Sequence, residues 1–188
     1  MTGVDERRFG LGKGAVYPAE HARALLNPAR RVVQSPRRVV RAAGVPADAR
    51  VLELGCGPGW FSPELARVAG LDALTYFDLQ PAMLGHTRRR TGSRRLVAGD
   101  AQRLPFADGA FDVVFLSAVL GEVPDRALAW AELARVVPTG GFALFVETRT
   151  DPDFVPHDRL AAAARHAGFD PAGRRRSVLG FVARFVRV

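Results

Sequence analysis

The sequence predicts an α/β fold in which a mostly parallel sheet is covered by helices on both faces. Two observations predict it. Five short apolar segments alternate with stretches of helical periodicity between residues 51 and 146. A cluster of closely spaced glycines follows the first apolar segment and precedes a helical stretch, which is typical of a strand, a tight turn and a helix in that order. The helix would present free backbone N–H groups to whatever occupies the turn.

The composition is that of a single folded domain. A chain of 188 residues, 48% of them hydrophobic, is long enough for one buried core and short for two. We find no run of about 18 apolar residues, and residues 1–8 carry charges where a secretory signal needs an apolar segment. These features predict a cytoplasmic protein without a membrane span. The single cysteine, Cys56, excludes an intramolecular disulfide and a multi-cysteine metal site.

The formal net charge of +8 is unevenly distributed along the chain. Residues 1–50 contribute +6, residues 51–158 contribute −4 and residues 159–188 contribute +6. Clustered arginines at both ends are compatible with a surface that binds nucleic-acid phosphates. Lys13 is the only lysine, however, which indicates a compositional preference for arginine as readily as a functional one. Nucleic-acid binding through the basic ends is therefore an alternative to the main interpretation.

Short helices are predicted ahead of the first strand. Residues 1–16 contain several glycines and little periodicity, which indicates a flexible leader. The helical stretches that follow cover residues 19–26, 30–34 and 36–43. In the third of them Ser35 is the predicted N-cap and Pro36 the first helical residue, while Gly44 ends the helix.

From residue 46 onward, apolar segments and helical stretches alternate. The strands are rich in β-branched, aliphatic and aromatic residues, and glycine- or proline-containing turns separate them from the helices. The last strand alternates apolar residues with arginine, which predicts one solvated face or an edge position. The predicted strands cover residues 51–54, 73–77, 95–98, 111–116, 142–146 and 181–188, and the predicted helices cover residues 60–69, 81–90, 124–137 and 158–166.

The glycine turn and two aspartates indicate a nucleoside-containing ligand. Asp78 ends the second strand, where a carboxylate accepts hydrogen bonds from ribose hydroxyls, and Asp100 follows the third strand, where it can accept one from an adenine amine. The turn places glycine at 55, 57 and 59, whereas a dinucleotide fingerprint has its third glycine at the position of Trp60. This spacing disfavours a nicotinamide-dependent oxidoreductase.

Four motifs occur in order along the chain: VLELGCGPG, FDLQPAML, GDAQRLPFADGAFDVV and RVVPTGGFALFVE. Over residues 49–148 the chain resembles the class I S-adenosylmethionine-dependent methyltransferases, near the branch that resembles the ubiquinone and menaquinone biosynthesis methyltransferases. The resemblance implies a three-layer, Rossmann-like, seven-stranded, mostly parallel sheet with helices on both faces and an antiparallel C-terminal strand. It also implies an enzyme of the EC 2.1.1 class that uses S-adenosylmethionine, releases S-adenosylhomocysteine and needs no metal.

The resemblance further implies which residues contact the cofactor. Glu53 would orient the methionine amino group, and Asp78 would hold the ribose. A purely structural role is also open to Glu53, as a cap of the glycine turn, and to Cys56, as a small buried apolar residue. Leu79 and Met83 would equally well belong to the core. The implied cofactor-binding residues are Glu53, Gly55, Cys56, Gly57, Gly59, Asp78, Leu79, Met83, Asp100, Ala101, Gln102 and Ser117.

Methyl transfer from a sulfonium needs a general base only when the acceptor holds a proton on its nucleophilic atom. Glu122 and His157 are the weak candidates for that base. Methylation at cytosine C5 is disfavoured because the only cysteine lies in the glycine turn. The Asp/Asn-Pro-Pro-aromatic segment of many enzymes that methylate nucleobase amines is also missing, since residues 117–120 read SAVL.

The acceptor side of the site must be built from short segments. We predict two parts in one compact unit: residues 1–45 as a helical lid on the substrate side and residues 46–188 as the S-adenosylmethionine-binding domain. Residues 148–157 would add a partly apolar lid. The residues predicted to form these apolar surfaces are Phe9, Tyr17, Pro152, Phe154 and Pro156.

The main hypothesis is a methyltransferase, monomeric or homodimeric, that acts on a small and partly apolar acceptor. The alternative is a methyltransferase of nucleic acid, or a catalytically silent subunit with the same fold, that uses the arginine-rich ends.

Overall fold

The structure is a computed structural model, and it describes Gly10, residues 15–177 and residues 179–188. Most of the predicted leader, including Phe9, lies outside the described residues. The described part forms one seven-stranded sheet with helices packed on both faces.

Seven strands form the sheet in the order β3-β2-β1-β4-β5-β7-β6. Neighbouring strands from β3 to β5 run parallel, and β7 runs antiparallel to both β5 and β6. Only β7 therefore opposes the common direction, as the resemblance implied. The strands are β1 (Val51–Leu54), β2 (Leu74–Asp78), β3 (Leu96–Ala98), β4 (Val113–Ser117), β5 (Phe142–Thr148), β6 (Phe169–Ser177) and β7 (Gly180–Arg187).

The helices agree with the predicted ranges to within a few residues. Ser35 precedes the third helix as predicted, but its side chain makes no capping hydrogen bond. Asp125 caps α6, because its carboxylate accepts the N–H groups of Ala127 and Leu128. The helices are α1 (Ala22–Leu25), α2 (Arg30–Val33), α3 (Pro36–Ala43), α4 (Ser62–Ala69), α5 (Pro81–Thr91), α6 (Arg126–Val136) and α7 (His157–His166).

The hydrophobic core has two halves, one on each face of the sheet. Leu52 and Val114 face one half, in which Trp130 of α6 and Leu160 of α7 are buried. The other half contains Leu65 of α4 together with buried residues of α3 and α5. Because successive residues of a strand point to opposite faces, a strand buried on both faces has to be apolar throughout. This explains why β1 and β4 are almost entirely apolar.

The C-terminal hairpin adds one strand to the predicted set and decides between the two alternatives predicted for the last strand. Residues 169–177 form strand β6, which the sequence did not predict, because its exposed arginines hide the apolar pattern of a strand. Since β6 takes the edge of the sheet, β7 is an interior strand, so of the two predicted alternatives for β7 the edge position does not apply. The predicted solvated face is confirmed, because buried and partly exposed residues alternate along β7.

The N-terminal helices rest against the rest of the protein. Helix α3 packs on β7, where Arg184 donates hydrogen bonds to the carbonyl oxygens of Ala43 (3.1 Å) and Gly44 (2.8 Å). The division at residue 45 stays a prediction. In the part of the chain that is described, no helix combines the length and the apolar character needed to cross a membrane.

Candidate functional site

The order of the strands locates the site. From β1 the chain continues to β2 and β3 on one side and later to β4 and β5 on the other, so the carboxyl ends of β1 and β4 flank the switch point of the sheet. A cavity of about 190 Å³ opens there. It is lined by the glycine turn, by the ends of β2 and β4, and by parts of the N-terminal helices.

The three glycines of the turn have different surroundings, although all have positive φ angles of 54° to 83°. A Cβ at Gly55 would lie 2.3 Å from Cγ2 of Val119, whereas one at Gly57 would meet no atom within 4 Å. Gly55 and Gly57 line the cavity, and Gly59 instead packs against Thr87 of α5. The structure therefore assigns Gly59 to helix packing, while the backbone of the turn from Gly55 to Gly57 faces the cavity.

Asp78 connects the end of β2 to the glycine turn. One carboxylate oxygen accepts the N–H of Gly57 at 2.8 Å, and the other accepts the N–H of Gln80 at 2.9 Å. The side chain is buried and lines the cavity. Burial raises the pKa of Asp78 to about 6, although the two backbone hydrogen bonds oppose this shift.

Glu53 lies beneath the turn and is only 3% exposed. Its carboxylate accepts a 2.6 Å hydrogen bond from the hydroxyl of Ser62, the first residue of α4. Burial raises the pKa of Glu53 to about 8, and the nearby charge of Asp78 raises it further against the effect of Ser62. A cationic ligand group in the cavity would stabilise the ionised form of Glu53.

Another part of the lining contains the residues that, according to the resemblance, would face an adenine. Leu79, Met83, Asp100 and Ala101 all line the cavity, as does Ser117 at the end of β4. These residues come together as the resemblance implied, although Met83 is also deeply buried. This part of the lining therefore combines buried core residues with residues that face the cavity.

The side chain of Gln102 holds the carboxylate of Asp100 in place. Its amide nitrogen lies 2.9 Å from both carboxylate oxygens of Asp100, and its amide oxygen accepts the N–H of Asp125 at 3.0 Å. Gln102 does not belong to the lining of the cavity. The structure thus makes it a positioning residue for Asp100.

The Cys56 thiol is enclosed by the protein. Its side chain is buried, and burial raises its pKa well above the ordinary value. A buried, protonated thiol is a poor nucleophile, which agrees with the interpretation of Cys56 as a small apolar residue.

Two further carboxylic acids line the cavity, Glu122 and Asp151. Glu122 is half-buried after β4, and burial raises its pKa to about 8, with Asp151 adding to the shift and a backbone hydrogen bond from Tyr17 opposing it. Burial also raises the pKa of Asp151. A carboxyl group whose pKa lies near neutrality suits general base chemistry.

Arg30 is the basic residue of the lining, and its guanidinium is held by the protein. It donates to the backbone oxygen of Leu25 and to the side-chain oxygen of Gln34, and lies 5.0 Å from the ring centre of Trp60. The indole N–H of Trp60 in turn donates to the backbone oxygen of Gln34 at 3.0 Å. These contacts fix the position of the Arg30 side chain in the cavity wall.

His157 and Phe154, which were predicted for the acceptor side, also lie away from the cavity. His157 begins α7. Its ring stacks on Phe185 at 6.0 Å and meets Phe181 edge-on at 5.6 Å between ring centres, so this candidate for the base does not face the cavity. Phe154 likewise packs on Phe181. The segment predicted to be an apolar lid contributes Asp151 to the lining instead of its prolines and Phe154, whose ring packs against the core.

Ala118, directly after β4, has a φ of 54° and lines the cavity. A left-handed backbone costs a non-glycine residue about 1–2 kcal/mol. Its N–H donates to the carbonyl oxygen of Val146 at 3.0 Å, which helps to hold this conformation. Backbone strain of this kind is common at binding sites, where the surrounding structure maintains it.

Three polar lining residues were not predicted from the sequence: Gln80, Arg30 and Asp151. Gln80 had a detectable signal, because an aspartate accepting the N–H two residues later is a common turn pattern. Arg30 and Asp151 lie in the segments predicted as lids, but no local pattern singles out these two side chains as part of the lining.

Comparison with known proteins agrees with this geometry. A family model described as a methyltransferase domain matches residues 52–145. The chain belongs to the methyltransferase family. This confirms the resemblance that the four motifs carry.

Two curated methyltransferases illustrate the relationship. The chain is 42% identical over 110 residues to malonyl-[acyl-carrier protein] O-methyltransferase of Legionella pneumophila, which covers 57% of this chain and 38% of the relative. It is 38% identical over 124 residues to demethylmenaquinone methyltransferase of Beutenbergia cavernae, which covers 66% of this chain and 50% of the relative. The matches thus span half or less of the length of these two methyltransferases.

Solved structures share the methyltransferase fold. A S-adenosylmethionine-dependent methyltransferase from Aquifex aeolicus superposes with a TM-score of 0.82 and 17% identity, covering 92% of this chain and all of that one. A putative methyltransferase of Haloferax volcanii, solved in complex with the activator Trm112, has a TM-score of 0.72 and 18% identity over 89% of this chain and 96% of that one. The predicted three-layer, mostly parallel sheet is confirmed.

Proposed function

We propose that this methyltransferase-family chain binds S-adenosylmethionine in the cavity and transfers its methyl group to a small, neutral and partly apolar acceptor. The observation that carries the proposal is the charge of the lining. Among the described residues, five carboxylic acids but only one guanidinium line the cavity: Glu53, Asp78, Asp100, Glu122, Asp151 and Arg30. Asp78, Asp100 and Asp151 outnumber Arg30 even while Glu53 and Glu122, with pKa values of about 8, are protonated, so the cavity attracts a ligand that carries a sulfonium and an ammonium group.

The cavity residues fit this cofactor. Open space beside Gly57 lets a ligand approach the backbone, and Asp78 presents a buried carboxylate at the end of β2, where ribose hydroxyls are recognised. We assign the methionine ammonium to the neighbourhood of Glu53 and the adenine to the wall of Leu79, Asp100 and Ala101. When bound, S-adenosylmethionine supplies an electrophilic methyl group whose transfer leaves neutral S-adenosylhomocysteine.

On the acceptor side, Glu122 is the residue to which we assign proton removal. It lines the cavity after β4 and has a pKa of about 8, so it can take a proton from a hydroxyl or an amine as the new bond to the methyl group forms. The negative charge of Asp151 favours the protonated form of Glu122, which is the form that results when Glu122 takes the proton of the acceptor. Tyr17, Leu25 and Val123 complete this side with mostly apolar surface.

The charge of the lining also narrows the acceptor class. A carboxylate acceptor would enter a cavity that already holds an excess of carboxyl groups, and Arg30 is committed to Leu25 and Gln34. Neutral phenols, hydroquinols and amines avoid this repulsion. By this argument the acceptor resembles the demethylmenaquinone named for one relative more closely than the malonyl group named for the other.

A methyl-transfer assay tests the proposal. The protein is incubated with S-adenosylmethionine tritiated in the methyl group and with four separate acceptor pools of neutral phenols, hydroquinols, amines and carboxylates. We expect transfer to one of the neutral classes and none to carboxylates, with Asp78→Ala as the inactive control. Preferential methylation of carboxylates would contradict the acceptor class, and failure to bind S-adenosylmethionine in calorimetry would contradict the function itself.

A further inference from the structure

The structure brings the two arginine-rich ends of the chain together on one surface, although they are far apart in sequence. Helix α3 lies against β7, and β7 pairs with the edge strand β6. Between α3 and β6 runs a groove, which we call the basic groove. Its rim carries Arg38 from α3 and Arg175 and Arg176 from β6.

The arginines of the two ends divide into two kinds. Arg184 and Arg187 are structural, because they donate to backbone oxygens and lie over the rings of Phe142 and Phe169. The three rim arginines are exposed, and among the described residues none of them has a carboxylate within salt-bridge distance. Their charges are therefore available to a partner.

The accessible floor of the basic groove is mostly aliphatic, and the polar residues Gln34 and Glu147 of its lining are buried. Val39, Leu179 and Val182 are partly exposed along it, and Val32 at one end is 84% exposed. Phe181, the aromatic residue of the described lining, is buried. The groove thus combines an apolar floor with a positively charged rim.

This combination discriminates between kinds of partner. Single-stranded nucleic acid uses exposed aromatic rings for stacking, and a duplex backbone gains nothing from an aliphatic floor. Addition of a partner strand to β6 is disfavoured, because β6 is irregular between Pro171 and Gly173 and carries three consecutive exposed arginines at residues 174–176. An amphipathic helix with an aliphatic stripe flanked by acidic residues can pack its stripe on the apolar floor and pair its carboxylates with the rim arginines.

We propose that the basic groove is a docking site for an acidic amphipathic helix of a partner protein. The aliphatic stripe of the helix lies on Val32, Val39 and Val182, and its flanking carboxylates pair with the rim arginines. The groove is separate from the methyl-donor cavity, so docking there does not depend on the cavity's function.

A fluorescent peptide tests the proposal on the intact chain. The probe is a helical peptide of about 16 residues with leucines along one face and glutamates beside them. Anisotropy measures its affinity for the wild type, for Arg38→Ala/Arg175→Ala, for Val32→Ser, and for Arg88→Ala/Arg89→Ala as a control. The control removes the same charge from exposed arginines of α5, on another surface.

We expect saturable binding that weakens by about tenfold in the rim variant and by about threefold in Val32→Ser, with the control unchanged. A peptide of equal composition with its leucines dispersed around the helix should bind weakly. Melting temperature and calorimetry with S-adenosylmethionine confirm that each variant is folded.

Three outcomes overturn the proposal: no binding of the peptide, equal binding of the dispersed peptide, or equal loss in the control variant. A single-stranded RNA of about 20 nucleotides is measured in parallel. Tighter binding of this RNA, lost in the rim variant, would assign the groove to nucleic acid instead of protein.

Discussion

The carboxamide of Gln80 holds the backbone of Tyr17, donating a 2.8 Å hydrogen bond to its carbonyl oxygen. The amide oxygen of the same side chain accepts the N–H of Ala19 at 3.0 Å. Gln80 also follows Asp78 by two residues and donates its own N–H to that carboxylate. One residue thus joins the segment over the cavity to the carboxylate that we assign to the ribose.

Gln80→Ala should loosen this segment without unfolding the protein. Two hydrogen bonds to the backbone are lost, which costs about 1–3 kcal/mol locally. We expect faster amide hydrogen exchange over residues 15–25 and about threefold to tenfold weaker binding of S-adenosylmethionine by calorimetry. Gln102→Ala serves as a comparison, because it removes the side-chain hydrogen bonds to Asp100 but leaves the backbone of Tyr17 held by Gln80. Unchanged exchange over residues 15–25 would show that Gln80 does not hold the segment.

Asp78→Ala should weaken S-adenosylmethionine binding by at least about tenfold, because both the ribose contact and the acceptor for the Gly57 N–H disappear. Asp78→Asn should have an intermediate effect, since its amide oxygen still accepts one hydrogen bond. Asp170→Ala, an exposed change on β6, is the matched control. Normal affinity in Asp78→Ala would refute the assignment of this residue.

Gly55→Ala should mainly lower the stability of the protein, whereas Gly57→Ala should mainly lower its affinity for S-adenosylmethionine. A Cβ at Gly55 collides with Val119, so we expect a loss of about 3 kcal/mol and a melting temperature lower by about 6–12 °C. A Cβ at Gly57 enters open space, so its cost is mainly that of the positive φ, about 1–2 kcal/mol. Gly57→Ala should therefore remain folded but lose affinity for S-adenosylmethionine. If Gly57→Ala is the less stable of the two, this account of the turn fails.

Binding of S-adenosylmethionine should release a proton near neutral pH. Glu53 has a pKa of about 8 in the free protein, and a bound ammonium group favours its ionised form and lowers that pKa. The affinity should consequently rise with pH up to about 8 and level off above it. Calorimetry in buffers of different ionisation enthalpy measures the proton release. Glu53→Gln should abolish it, and an unchanged release in that variant would exclude Glu53 as its source.

Glu122→Gln should lower kcat by about 100-fold or more if Glu122 removes the acceptor proton. The same variant has a stability signature that does not depend on the acceptor. The folded-state pKa of Glu122 is raised from 4.5 to about 8, so the stability associated with its neutral form is present below about pH 4.5 and is lost as the pH rises through 8.

Melting curves can therefore test the environment of Glu122 separately from its chemistry. Glu122→Gln should melt several degrees above the wild type near pH 9 and about equally near pH 5. If the difference in melting temperature did not change with pH, the pKa of Glu122 would not be raised in the folded protein.

The sequence by itself determined the half of the cavity lining that we assign to S-adenosylmethionine. The glycine turn, Asp78, Asp100 and Ser117 all lie at or just after strand ends, and the carboxyl ends of parallel strands meet at one edge of the sheet. Local spacing therefore places them together, because each strand, turn and helix is specified by nearby residues. The same reasoning predicted the parallel strands and the helices between them.

The tertiary structure decided which side chains of the predicted lid segments line the cavity, and it alone assembled the basic groove. Tyr17, Arg30, Glu122 and Asp151 come from separate segments, and their approach to the cavity depends on how α2 and the loops pack. Tertiary packing likewise placed His157 on Phe185 and away from the cavity. It also paired the arginine-rich residues of β6 with β7 beside α3, because a polar edge strand is specified by its partner strand and not by an apolar pattern of its own.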